Sequence, residues 1–151
     1  MAIFRCAHCG SLNRMAEDRA RDKPVCGKCK ARLDVTGAPQ AVSGAALGQA
    51  VAQSPVPVLV DYWAAWCGPC RTAAPILEKV GQRAAGRLLV LKVNVDEERD
   101  EAGRRGIQGI PAFLLFDGGR EVGRRAGVAS QGDLEGWIAQ KTVRPADRVA
   151  R

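Results

Sequence analysis

Three observations predict an α/β domain with a mixed sheet, standing behind a small cysteine-rich front module. Two nearly continuous apolar runs, Val56 to Trp63 and Leu88 to Val95, flank a stretch of helical periodicity. Two further strand-like runs meet across Asp117-Gly118-Gly119, which is a hairpin signal. Ahead of both, Cys6, Cys9, Cys26 and Cys29 fall in a segment poor in large apolar side chains.

At 151 residues the chain has room for about one average domain, so anything extra must be small. Residues 1–34 offer Ile3, Phe4, Leu12, Met15, Val25 and Leu33 among many charges, too little to bury a core without a staple. The breaker cluster Thr36-Gly37-Ala38-Pro39 places a linker at 35–40. The domain proper is expected over 41–141, and a flexible basic tail containing Pro145 over 142–151.

Within the domain, Ser43 to Gln53 reads as a helix with Ser43 as N-cap, closed by Pro55 and Pro57. Val56 to Trp63 reads as a strand buried on both faces. The helix from about Cys67 to Ala85 carries Ala73, Ile76, Leu77 and Val80 on one side, with Pro75 as a kink. Leu88 to Val95 is the second buried strand, which completes a βαβ unit with an expected right-handed crossover. Glu97 to Arg105 reads as a short charged helix ended by Gly106. Ala112 to Phe116 and Arg120 to Ala126 form the antiparallel hairpin. Ser130 to Lys141, with Leu134, Trp137 and Ile138 on one stripe, is the closing helix.

The composition, 46% hydrophobic and 26% charged, is that of an ordinary globular protein. No stretch approaches the ~18 apolar residues of a membrane helix, and the N-terminus has no secretory pattern, so a reducing cytoplasm is the expected location. The net charge of +7 suggests nucleic acid at first sight. Residues 41–141, however, carry twelve Lys/Arg against eleven Asp/Glu, while residues 1–40 carry eight against four. A nearly neutral middle argues against a domain built to follow phosphates. A monomer is expected.

Six cysteines in a reducing compartment point to metal binding or catalysis. Cys67-Gly68-Pro69-Cys70 lies between a buried strand and a helix, which puts the Cys67 sulfur where unpaired N–H groups favour a thiolate. That thiolate can attack a disulfide, and Cys70, about one turn on, can resolve the mixed disulfide. Gly68-Pro69 contains no histidine to stabilise the thiolate further, which favours a reductase over an oxidase or isomerase.

The front cysteines have the spacing C-x2-C-x16-C-x2-C, that of a four-thiolate zinc site holding one ion. Two redox disulfides or iron are the other uses of the same residues. His8 lies between better-placed ligands and is read as non-coordinating. Asp61 is an acid in an apolar strand, where desolvation raises a carboxyl pKa; a strand-end Asp facing water is the alternative. Lys92 interrupts Leu91 and Val93, with a snorkelling edge lysine as its alternative.

The segment Val58-Leu59-Val60-Asp61-Tyr62-Trp63-Ala64-Ala65-Trp66-Cys67-Gly68-Pro69-Cys70 resembles the active-site strand and turn of the thioredoxin family. Residues 41–141 follow that family's element order, and the two front C-x-x-C units resemble its zinc-containing thioredoxin 2 subgroup. The resemblance implies a three-layer α/β/α fold behind a zinc-ribbon-like module. It implies that Asp61 helps deprotonate Cys70 and that Lys92 pairs with that acid. It also implies that Pro111, within Gly109-Ile110-Pro111, is a cis-proline facing the dithiol, although an ordinary X–Pro bond is trans. Trp66, Gly68, Pro69, Ile110, Pro111 and Gly127 would then surround the place where an extended substrate docks.

The expected partners are disulfide-containing protein substrates and, by resemblance, an NADPH-dependent thioredoxin reductase. The chain has no G-x-G-x-x-G fingerprint, and no bound nucleotide or flavin is expected. The competing reading is a zinc-dependent module that binds protein or nucleic acid and carries the redox domain as a passenger. In either reading the zinc module is structural or responds to oxidation.

Overall fold

Residues 1–142 are described by a computed structural model, so the tail expected at 142–151 lies outside the described residues beyond Thr142. In chain order the elements are β1 (Ala2–Arg5), β2 (Leu12–Met15), a 3₁₀ turn (Glu17–Asp22), β3 (Gln40–Ala41), α1 (Gly44–Gln53), β4 (Val58–Trp63) and α2 (Gly68–Arg83). They continue with β5 (Leu89–Asn94), α3 (Arg99–Arg104), β6 (Ala112–Asp117), β7 (Arg120–Ala126) and α4 (Gln131–Lys141). The main sheet has the order β3-β5-β4-β6-β7, with β3, β5 and β4 parallel and β6 and β7 antiparallel to their neighbours. This is the mixed sheet that the βαβ unit and the hairpin predict.

Alternation along the central strands builds two cores. Val58, Val60, Tyr62, Leu91, Val93, Leu114 and Phe116 face Leu47 and Val51 of α1. Leu59, Val90, Phe113 and Leu115 face Leu77 and Val80 of α2 and Leu134 of α4. Helices therefore cover both faces, giving three layers. Each fully buried Val, Leu or Phe contributes about 1.5–3 kcal/mol relative to exposure, so β4 and β6 anchor the fold.

Local chemistry explains where the elements begin and end. Ser43 and Ser130 cap α1 and α4 by accepting from the Ala46 and Asp133 N–H groups. Pro57 has no N–H for the ladder, so β4 begins at Val58 and not at Val56. Asn94 Oδ1 accepts from the Asp96 and Glu97 N–H groups in an Asx turn, which delays the charged helix until Arg99. Pro75 sits inside α2, which continues through it to Arg83.

Three strands go beyond the elements expected from sequence. The β1–β2 hairpin belongs to the front module, and its Ala2, Ile3 and Phe4 are buried against the domain. The Ile3 N–H donates to the Gly86 carbonyl at 2.9 Å. Gly86, at φ +86°, leaves room for this approach, since a Cβ there would meet the Ala2 Cβ at 2.8 Å. Gln40 and Ala41 form β3 and pair with Leu91 and Lys92.

Candidate functional site

Cys67 is the N-cap of α2, and its Sγ accepts the Cys70 N–H at 3.2 Å. Gly68 and Pro69 occupy the first helical positions, where proline's missing N–H costs nothing. The two cysteines are disulfide-bonded, with Cα atoms 5.3 Å apart, and each is only 4% exposed. An N–H donated to sulfur favours its ionised form once the bond is reduced. The Ile110 carbonyl oxygen lies 3.7 Å from Cys67 Sγ and is positioned to accept from the free thiol. The Ile110–Pro111 bond is cis, and the Pro111 carbonyl accepts the Gly127 N–H at 2.8 Å. Loop, helix start and the turn after β7 thus converge on one sulfur pair.

Around this pair the surface is apolar and open. Trp66 is 67% exposed and is steadied by its Nε1–H donating to Asp96 Oδ2 at 2.9 Å. Val128 is also exposed, next to Gly127. Trp63 packs beneath, against the Ala64, Cys67 and Cys70 cluster.

Asp61 lies in the middle of β4, between Lys92 of β5 and Phe113 of β6. It is 2% exposed, and its Oδ1 has no hydrogen-bond partner among the described residues. Burial pushes its carboxyl up to about 7, against a smaller lowering by Lys92. A group balanced near neutrality can take or give a proton there. The Lys92 ammonium also stands 4.7 Å from the Trp63 ring centroid. A cavity of about 80 Å³ lies beside these residues, walled by Ala38, Pro39, Asp61, Ala74, Leu77, Glu78 and Lys92.

The front cysteines form a second centre. The sulfurs of Cys6, Cys9, Cys26 and Cys29 all lie within 4.8 Å of one another, with Cys6–Cys29 and Cys9–Cys26 each at 3.6 Å. Four sulfurs about 2.3 Å from a central ion would sit about 3.8 Å apart, so the donor set fits a tetrahedral thiolate site. Each C-x-x-C is followed by a left-handed residue, Gly10 at φ +80° and Lys30 at φ +68°, whose N–H returns to the Cys6 or Cys26 carbonyl. The Cys29 backbone N–H, helped by the Lys28 N–H and the Asn13 amide, holds the Cys26 thiol down at about 6 despite its burial. Asn13 joins the two turns by also accepting the Gly27 N–H at 2.9 Å. His8 is exposed and outside the sulfur cluster.

Comparison with known proteins matches residues 38–140 to the family described as thioredoxin. The chain belongs to the thioredoxin family. Residues 5–31 match the zinc-ribbon segment described as thioredoxin 2, N-terminal. Among relatives, a thioredoxin of Pseudomonas aeruginosa is 40% identical over 97 residues, covering 64% of this chain and 90% of its own length. Thioredoxin 1 of Chlorobaculum tepidum is 47% identical over 82 residues, or 54% of this chain and 81% of its own. Chloroplastic thioredoxin z superposes with a TM-score of 0.64 at 31% identity, covering 68% of this chain and 93% of that one. Membership, fold and the Cys67–Cys70 pair make the chain a thiol-disulfide oxidoreductase, a protein-disulfide reductase of the thioredoxin type with a zinc-ribbon module in front. No helix among the described residues is long and apolar enough to cross a membrane.

Sequence reasoning missed three contributors to these centres. Asp96 holds Trp66, yet it looks like one more charge in the run Asp96-Glu97-Glu98. Asn13 and the exposed Val128 carry no motif. Only the odd Asn between Leu12 and Arg14, three residues past Gly10, could have hinted at the first of these.

Proposed function

We propose that the chain reduces disulfides of protein substrates through Cys67, and that Cys70 completes the exchange. The Cys67 thiolate attacks one substrate sulfur, and the other sulfur leaves as a thiolate that takes up a proton. Asp61, neighboured by Lys92, accepts the Cys70 proton. The Cys70 thiolate then attacks Cys67 Sγ, closing the Cys67–Cys70 bond and releasing the second substrate sulfur as a thiol. Two electrons pass to the substrate, and a thioredoxin reductase using NADPH returns them. The observation that carries this reading is the Cys67 sulfur at the start of α2, accepting the Cys70 N–H with the partner sulfur in bonding reach.

Trp66, Gly68, Pro69, Ile110, Pro111 and Gly127 form the substrate platform in this proposal. It is supported by the exposure of Trp66 and by the meeting of the Ile110–Pro111 and Gly127 segments beside the sulfurs. Cys6, Cys9, Cys26 and Cys29 would hold one zinc ion, which supplies a fixed, redox-inert crosslink to a module with little core of its own. The chain divides in this proposal into a metal module at 1–34, a connection at 35–40 that ends on the sheet residue Gln40, and the redox domain at 41–141. A cytoplasmic location and a part in electron transport and thiol homeostasis belong to the same proposal, supported by a cysteine usage that suits a reducing compartment. Docking of Ile3, Phe4 and Arg5 on the domain favours a built-in module over an independent binding module with a redox passenger.

Insulin reduction with dithiothreitol tests the activity. A Cys70→Ser variant should accumulate mixed disulfides on Cys67, and equal trapping by Cys67→Ser would overturn the role assignment.

A further inference from the structure

The cavity beside Asp61 has one wall that belongs to neither the helices nor the apolar strands. Ala38 and Pro39 form it, just ahead of the two-residue strand β3. The opposite wall comes from α2, where Leu77 is fixed in the core, Ala74 is half-buried and Glu78 is exposed at the rim.

Both ends of the Ala38–Pro39 segment are tied down. On one side Gly37 meets Gly81 of α2 backbone to backbone, where a Cβ on either glycine would fall on the other's carbonyl oxygen. On the other side Arg5 and Gln40 clasp each other. Arg5 Nη1 donates to Gln40 Oε1 at 2.8 Å, and Gln40 Nε2 donates to the Arg5 carbonyl at 2.9 Å. Arg5 is only 8% exposed and directly precedes Cys6, so the clasp joins the metal module to the cavity wall. Beyond Gln40, the Val42 N–H donates to the carbonyl of Lys92, which also lines the cavity.

We propose that Arg5 and Gln40 are positioning residues for the dithiol reaction: their reciprocal clasp holds Ala38 and Pro39 as the wall that keeps bulk water from Asp61. The metal module thereby acts on proton transfer at Asp61 without touching either redox cysteine. This rests on the reading of Asp61 as the base for Cys70. The charged groups around the cavity are Lys92 from β5 and Glu78 from α2, with the Cys67–Cys70 pair beyond the end of β4. The Ala38–Pro39 wall brings none, and Phe113 of β6 brings none. Opening the wall therefore changes mainly the hydration of the carboxyl.

The test uses the full-length chain with its metal content measured. The Asp61 carboxyl is followed by infrared difference spectroscopy in the oxidised form, and mixed-disulfide resolution is profiled against pH. Gln40→Ala should move the carboxyl midpoint down by roughly one unit, towards the ordinary range, and carry the resolution profile with it. Pro39→Gly, which leaves the clasp intact but loosens the wall, should move it in the same direction and decides the matter if Gln40→Ala does not fold. Unmoved midpoints in variants that fold with the parent's metal content would overturn the proposal. Asp61→Asn separates the underlying reading: a resolution profile that survives this change removes Asp61 as the base, whereas a midpoint that still shifts in Gln40→Ala leaves the clasp's control of the cavity standing.

Discussion

Asp61 and Lys92 stand side by side on adjacent parallel strands, an acid and a base in direct register inside an otherwise apolar layer. Their proximity does not return the acid to its ordinary range, because burial outweighs the nearby ammonium. The pair is therefore a proton store more than a salt bridge.

Stability should report this store. With its carboxyl pushed by burial up to about 7, well above the ordinary aspartate range, the folded chain keeps a proton through a window in which the unfolded chain has lost it. The stability so gained is complete below about pH 4 and fades as pH rises through 7. Asp61→Asn should remove the dependence and stabilise the oxidised protein by roughly 2–4 kcal/mol above that window. Urea unfolding at several pH values measures it.

Glu101 should behave with the opposite sign. It is 4% exposed and accepts from Tyr62 Oη at 2.8 Å, Arg105 at 3.0 Å and Arg104 at 3.2 Å. Burial alone would raise its carboxyl, but these bonds outweigh it and hold the value below the ordinary one. Its contribution is present above the ordinary carboxylate range and is lost as pH falls. Tyr62→Phe should cost about 1–3 kcal/mol at neutral pH and bring acid unfolding to a higher pH, as circular dichroism would follow.

Asp96 should matter to turnover without touching sulfur. Asp96→Ala frees the Trp66 indole, whose exposed face flanks Cys67. One lost hydrogen bond of this kind corresponds to roughly a 2- to 10-fold fall in kcat/KM for protein disulfides. A small dialkyl disulfide, which needs little of the platform, should be reduced at a rate close to the parent's.

Metal removal should be local. Mercurial titration of the thiols is expected to release one zinc per chain, read with a chromogenic chelator. Amide exchange should then lose protection at Ile3, whose N–H is bound to Gly86, while β4 keeps its own. Global unfolding on metal loss would contradict a domain with its own two cores.

How far the sequence could be read follows the physics of each signal. β4, β5 and β6 are buried on both faces and announce themselves as apolar runs, and Ser43 and Ser130 announce α1 and α4 as caps. The Cys67 and Cys70 pair and the four front cysteines are legible because spacing alone restricts their chemistry. β3 is invisible because two residues, Gln40 and Ala41, carry no periodicity. β1 is buried only by docking, and Arg5 and Glu101 look like surface charges until a partner 35 or 39 residues away is brought to them. Charge runs conceal buried members, since burial of one residue in six leaves the composition unchanged.

The rims of the sheet carry a consequence for life in a crowded solution. On one side β3 is two residues long and the front hairpin lies alongside; on the other, β7 presents Arg120, Glu121, Arg124 and Arg125. A neighbouring chain seeking to extend the ladder finds either no length to pair with or a fringe of charge. Sulfur chemistry that repeatedly forms transient covalent encounters can thus proceed without those encounters seeding sheet-to-sheet aggregation.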